Sequence, residues 1–153
     1  MFNIIEKFFG PQKPVSAEKS PDTNQHKIYI ATCALLVEMA QIDGEFSESE
    51  KEHLIELLEN EYNLSREYID EITIIAADEL KRSNDLWKFT NLINENYELP
   101  EKIKIIELIW KIIYTDGTLD KYEDYLIHKL ARLLNLQHSD LINAKLRVLH
   151  DES

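Results

Sequence analysis

Apolar residues recur at steps of three and four along most of this chain, and that spacing constrains its fold more than any other feature. The recurrence is clearest at Ile28, Ala31, Leu35, Met39 and Ile42. Such residues share one face of an α-helix. Further apolar residues between these positions widen the stripe, so we expect this first helix to be buried on most of its sides.

The same periodicity predicts six further helices. They run from about Glu48 to Asn60, from Arg66 to Arg82, from Leu86 to Tyr97, from Pro100 to Thr115, from Lys121 to Asn135 and from Asp140 to His150. The fifth, EKIKIIELIWKIIYT, is apolar nearly all round and should form the centre of the core. Three Gly and four Pro in 153 residues are few for a turn-rich all-β fold. We therefore expect an all-α fold, a single compact bundle of about seven helices.

The formal charge of −12 restricts the partners of the chain. Nucleic-acid binding draws on clustered Lys and Arg that displace counterions, so a nucleic acid is not an expected partner. The acidic excess instead suits a cation or a basic partner protein. The single cysteine, Cys33, has no disulfide partner within the chain, which agrees with a cytoplasmic location.

The first 23 residues differ in composition from the rest. Residues 1–9 are predicted to form a short amphipathic helix with four apolar positions, Phe2, Ile5, Phe8 and Phe9. Residues 10–23 contain three Pro and no apolar period, which is typical of a linker, so the helical domain should cover residues 24–150. The Phe-rich segment either docks on the domain or a neighbour, or touches a membrane surface. Docking is favoured, because so short a helix with one Lys binds a membrane weakly.

An apolar helix, an Asp-Gly turn and an amphipathic helix occur twice, at residues 34–59 and 107–132. With an offset of 73 residues, the matching pairs are Leu35 and Leu108, Asp43 and Asp116, Phe46 and Leu119, Glu50 and Glu123, and Leu57 and Leu130. Similar sequences follow the two copies, YNLSREYI at 62–69 and LNLQHSDLI at 134–142. This repeat predicts two helical hairpins packed about a pseudo-twofold axis, with both turns at one end.

The spacing Asp-Gly-x5-Glu also occurs in the second half of an EF-hand calcium loop. In such a loop the positions four and two residues before the Asp supply oxygen ligands. Here the first of these positions holds Met39 in one copy and Ile112 in the other, and neither side chain coordinates a hard cation. The helical period also runs through these residues, so an EF-hand is excluded.

Helix capping explains part of the motif. Gly44 and Gly117 suit the left-handed residue that ends a helix. Ser47 with Glu50 forms a capping box, and Asp120 forms another with the Glu three residues later.

Capping leaves Asp43 and Asp116 unexplained, because a carboxylate in the last turn of a helix faces the negative end of the dipole. If the hairpins pair, these two residues can share one acidic site with Glu50 and Glu123. Such a cluster needs a cation or protons to offset its repulsion. Oxygen ligands indicate calcium, magnesium or manganese rather than zinc.

The doubled pattern resembles the TerB-like tellurite-resistance family, which also supplies a domain in some membrane-anchored J-domain co-chaperones. It is carried by LVEMAQIDGEFSESEKEHL and LIWKIIYTDGTLDKYEDYL, and the likeness covers about residues 26–149. The resemblance implies an all-helical domain with two similar halves, and a divalent-cation site at Asp43, Glu50, Asp116 and Glu123. It also implies bacterial origin and a role in resistance to tellurite, phage or other stress, in complexes at the inner face of the membrane.

Three functions stay open. The chain is expected to be a non-enzymatic binding or scaffold module of a stress-response system, cytoplasmic or peripheral at the inner membrane, that acts with or without a divalent cation. The second function is a metal-independent adaptor for a membrane-associated complex. The third, a carboxylate-metal hydrolase, is disfavoured because the five His form no Glu-x-x-His or His-Glu-x-x-His motif. Protein partners are expected, no transmembrane segment is, and a homo-oligomer stays open.

Overall fold

The computed structural model describes residues 23–152 except Asp43, Glu45, Asn84, Gly117 and Thr118. The side chains of Asp116, Asp151 and Glu152 also lie outside the description, as do the expected N-terminal helix and most of the linker. Within these limits the chain forms seven α-helices: α1 (Thr23–Ala40), α2 (Glu48–Tyr62), α3 (Arg66–Arg82), α4 (Trp87–Asn96), α5 (Leu99–Ile113), α6 (Lys121–Leu133) and α7 (His138–Glu152). The all-α class is confirmed, whereas the pseudo-twofold axis stays a prediction.

Several helix ends differ from the predicted ones. The predicted α1 continued to Ile42, but the helix ends at Ala40, because the Ile42 N–H bonds to the Met39 carbonyl at 3.3 Å instead of the carbonyl four residues back. Pro100 is the second residue of α5, not the first. α6 ends two residues early, at Leu133, and α7 begins two residues early, at His138.

Helix α1 runs through the middle of the bundle. It packs mainly against α3, α4 and α5 and also contacts α2 and α6. All residues from 31 to 37 are buried, so neighbours surround the helix on every side, as its wide apolar stripe predicted. Polar groups are buried here as well: the Cys33 thiol lies 3.4 Å from the Thr73 hydroxyl of α3, and this hydroxyl donates to the Ile69 carbonyl.

Helix α5 shares the centre with α1 and does not occupy it alone. Most residues of its second half are buried, from Ile105 to Ile113, whereas Glu101 and Lys104 in its first half are exposed. The buried half packs mainly on α7 and α1. The prediction that α5 lies at the centre of the core therefore holds for its second half only, because the apolar pattern does not show where along the helix the neighbours end.

Asparagines in left-handed conformation follow both α2 and α6. Asn63 has φ of 56° and Asn135 has φ of 62°. At the second site the Leu136 N–H bonds to the Ala131 carbonyl at 2.9 Å and the Asn135 N–H to the Arg132 carbonyl at 3.0 Å. These two bonds form a Schellman motif. At the first site the Asn63 N–H instead bonds to the Glu59 carbonyl at 3.0 Å, so the two similar sequences share the left-handed Asn but not the bonding pattern.

Substitution of Asn135 tests this motif. We expect Asn135→Ala to lower the free energy of unfolding by about 1 kcal/mol, because a Cβ is unfavourable at positive φ unless the side chain offsets it. Asn135→Gly should be as stable as the native chain or more so, since glycine adopts this conformation without that cost. Urea unfolding measures both. A glycine variant less stable than the alanine variant would contradict the assignment.

Candidate functional site

The first acidic turn joins α1 to α2. The Gly44 N–H bonds to the Gln41 carbonyl at 2.9 Å, and Gly44 has φ of 109°. A Cβ at Gly44 would meet no atom within 4 Å, so the backbone conformation and not space requires glycine. Phe46 then packs against the core and anchors the chain before α2.

The start of α2 carries the predicted capping box. The Glu50 N–H bonds to the Ser47 hydroxyl at 3.2 Å, and the Ser47 N–H bonds to Glu50 Oε1 at 2.8 Å. These reciprocal bonds satisfy two backbone donors that the helix leaves without an internal partner. They also fix the direction of the Glu50 carboxylate, back toward the turn.

The second acidic turn joins α5 to α6. A 3-10 turn, Tyr114–Asp116, continues α5, and Leu119 packs against the core where Phe46 does so in the first turn. The Glu123 N–H bonds to Asp120 Oδ1 at 2.8 Å, and the Asp120 N–H bonds to Glu123 Oε1 at 3.1 Å. Both predicted capping boxes are therefore confirmed, and the two turns hold their glutamates in the same way.

Two of the four predicted site residues can be placed in full. Glu50 and Glu123 are half-buried in their capping boxes. Asp43 lies outside the described residues, as does the side chain of Asp116. Among the residues that are described, no three His, Cys, Asp or Glu side chains form a group that could hold a metal ion. The four-carboxylate site stays a prediction.

The observed end of α1 changes the helix-dipole argument for Asp43. Asp43 was expected in the last turn of a helix, but α1 ends at Ala40, three residues before it in the sequence. Asp116 ends the 3-10 turn after α5. The dipole argument therefore weakens for Asp43, because the effect falls off within the last helical turn.

Capping does not prevent these glutamates from binding a cation. A carboxylate has about four lone-pair positions on its two oxygens, and each capping bond uses one of them. Oxygen ligands of this kind fit calcium, magnesium or manganese. The donor chemistry of Glu50 and Glu123 thus fits the cation that the family resemblance implies. Met39 is buried within α1, which confirms that the first turn is not an EF-hand loop.

The helix α6 carries two exposed aromatic residues directly after the second turn. Tyr122 is 63% exposed and Tyr125 is 64% exposed, and they stand one helical turn apart. The Lys121 ammonium lies 5.5 Å from the centre of the Tyr122 ring. Both rings are therefore exposed to solvent at the start of α6.

Sequence analysis also missed a buried polar cluster at the start of α1. His26 Nδ1 is hydrogen-bonded to the Tyr68 hydroxyl of α3. Burial lowers the pKa of His26 to about 4. The Tyr29 ring packs against Tyr62 with centroids 5.2 Å apart, and burial raises the pKa of the Tyr62 hydroxyl. The burial of His26, though not its partner, could have been predicted from the sequence, because His26 stands four residues before Ile30 on the apolar stripe of α1.

An all-α bundle with two capped acidic turns is the class of protein that the fold and the site define. A family model described as tellurite resistance protein TerB matches residues 29–146. Because this match spans most of the chain, the chain belongs to the TerB family. Among curated proteins and solved structures there is no significant match. No helix in the described part of the chain is long and apolar enough to cross a membrane.

Proposed function

We propose that this chain is a non-enzymatic binding and scaffold module of a bacterial, tellurite-resistance-like stress-response system. It binds a divalent cation, calcium, magnesium or manganese, through Asp43, Glu50, Asp116 and Glu123. It acts in the cytoplasm or at the inner face of the membrane, in complexes with other proteins. Membership of the TerB family supports the assignment to a tellurite-resistance-like system. The family resemblance implies no catalytic reaction.

One observation carries the cation part of the proposal. Glu50 and Glu123 are held at equivalent positions of two turns by the same pair of hydrogen bonds. A carboxylate that is already fixed loses less side-chain freedom when it binds a ligand. The capping boxes therefore orient ligands as well as starting helices. A bound cation would supply the positive charge that offsets the repulsion within an acidic cluster.

The metal-independent adaptor is the second candidate, and the exposed Tyr122 and Tyr125 favour it. Tyrosines are enriched at protein interfaces because they bring a large apolar area and one polar atom. The pair stands on the first two turns of α6, next to the second acidic turn. A partner protein bound there would contact the site region whether or not a cation is present.

A metal titration with matched glutamine variants separates ligation from capping. Glutamine at the third helical position keeps the capping box but removes the charge, so Glu50→Gln and Glu123→Gln should fold normally. In the native chain, metal at about 100 times its Kd should raise the free energy of unfolding by about 2.7 kcal/mol. We expect the double glutamine variant to lose most of this gain. Calorimetry with calcium, magnesium and manganese measures the binding, and thermal melts measure the stabilisation.

Glu48→Gln is the matched control, because Glu48 is an acidic residue of the same first turn of α2 that lies outside the proposed ligand set. This control should respond to metal as the native chain does. An absence of heat and of a melting shift at millimolar metal would overturn the cation site and leave the adaptor. An equal response of the glutamine variants and the native chain would remove Glu50 and Glu123 from the ligand set.

A further inference from the structure

An apolar groove runs between α1 and α4 on the side of the bundle that also includes the end of α3. Its volume is about 300 Å³. Buried faces of Ile30, Ala31 and Phe89 contribute to its lining, and Trp87 lines it while 58% exposed. The indole thus extends the apolar surface of the groove, and a contiguous apolar surface with a polar rim indicates an interaction site.

Charged side chains surround the groove. Lys88 pairs with Glu79 at 2.7 Å across the α3–α4 junction, and Lys27 and Glu95 stand on α1 and α4. An apolar interior within a polar rim is the usual composition of an interface. The groove therefore fits an apolar helix that carries polar residues at its edges, and it does not depend on the acidic turns.

The chain itself contains such a segment. Residues 2–9 carry the apolar positions Phe2, Ile5, Phe8 and Phe9 at helical spacing, with Glu6 and Lys7 among them. An amphipathic helix that lays its apolar face in a groove is a common mode of recognition. We propose that this Phe-rich segment, residues 2–9, docks in the groove between α1 and α4 of its own chain and covers Trp87.

The connection is long enough for this docking. The groove is lined by Lys27, Ile30 and Ala31, so it begins within the first two turns of α1. Ile30 lies about 10 Å along the helix from Thr23, at about 1.5 Å per residue. Residues 10–22 can extend to about 40 Å, at about 3.3 Å per residue. A linker of this length keeps the segment at a high effective concentration near the groove, so a weak interaction suffices.

The two tryptophans provide the test in the full-length chain. Trp110 is 1% exposed and shielded from a soluble quencher, so acrylamide quenching reports mainly on Trp87. In the variant Phe8→Ser/Phe9→Ser, which leaves the described helices untouched, the quenching constant should roughly double, because the indole loses its apolar cover. The control Glu18→Ser/Lys19→Ser in the linker should quench as the native chain does. Equal quenching of the native chain and the Phe variant would overturn the proposal.

A disulfide cross-link supplies a second measurement. Cysteines at Phe9 and Asn91 should form an intrachain disulfide far faster than cysteines at Phe9 and Ser139, because Asn91 lines the groove and Ser139 is an exposed residue of α7. Cys33 is buried and does not compete. Equal rates for both pairs would contradict docking. A disulfide found only between chains would assign the groove to a second copy, and protection of Trp87 only with anionic vesicles would assign the segment to a membrane; either overturns the proposal.

Discussion

Replacement of Trp110 by alanine should lower the free energy of unfolding by about 3–5 kcal/mol, which is the usual cost of removing a buried large aromatic side chain. Trp110 is 1% exposed, at the point where α5 meets α7. Its indole Nε1–H donates to the Leu141 carbonyl at 3.0 Å, and its ring stacks on Tyr114 with centroids 5.8 Å apart. Alanine removes the packing, the stacking and the hydrogen bond together.

Two further substitutions separate these contributions. Trp110→Phe keeps much of the apolar volume but leaves the Leu141 carbonyl without its indole donor, so we expect a loss of about 1–3 kcal/mol. Tyr122→Ala is the matched control, because this aromatic side chain is 63% exposed, and it should cost about 1 kcal/mol or less. Urea unfolding followed by far-ultraviolet circular dichroism measures all three. Equal losses at Trp110 and Tyr122 would show that the α5–α7 contact is not part of the core.

Acidification should destabilise the protein through His26. Burial lowers the pKa of this histidine from 6.5 to about 4, and its Nδ1 is hydrogen-bonded to the Tyr68 hydroxyl. The unfolded chain therefore binds a proton at a higher pH than the folded chain does. The stabilisation is complete above pH 6.5 and is lost as the pH falls toward 4. The loss should be on the order of 2 kcal/mol, less than a fully buried group would give.

The variant His26→Leu isolates this contribution. It should be less stable than the native chain at neutral pH, because the hydrogen bond between His26 and the Tyr68 hydroxyl is lost, but it should lose less stability on acidification. Urea unfolding across this pH range measures the difference between the two chains, in which the shared carboxylates cancel. A His26→Leu profile parallel to the native one would contradict the lowered pKa.

Helix bounds and capping boxes could be predicted from the sequence, because they depend on residues that are close together in the chain. The bounds of α3, Arg66 to Arg82, followed from the apolar period and are observed as predicted. The capping boxes at Glu50 and Glu123 were also predicted, because their bonds span only three residues. Such signals do not depend on the rest of the chain.

Contacts between distant residues could not be predicted in the same way. His26 and Tyr68 are 42 residues apart, and nothing in either local sequence indicates that the two side chains meet. The end of α1 depends on how the turn at Ile42 tightens, and the buried length of α5 depends on where its neighbours stop. The same distinction applies to the acidic site. Each turn could be predicted from its own residues, whereas the convergence of two turns 73 residues apart depends on the whole fold and stays a prediction.

The position of α1 has a consequence for protein synthesis. This helix leaves the ribosome before the others described here, yet two of the helices that enclose it, α5 and α6, begin only at Leu99 and Lys121. Translation proceeds at about 5–20 residues per second, so the apolar residues 31–37 lack these neighbours for several seconds. The nascent chain therefore presents a natural binding target for a chaperone during that interval, and its aggregation should be greatest before α6 is complete.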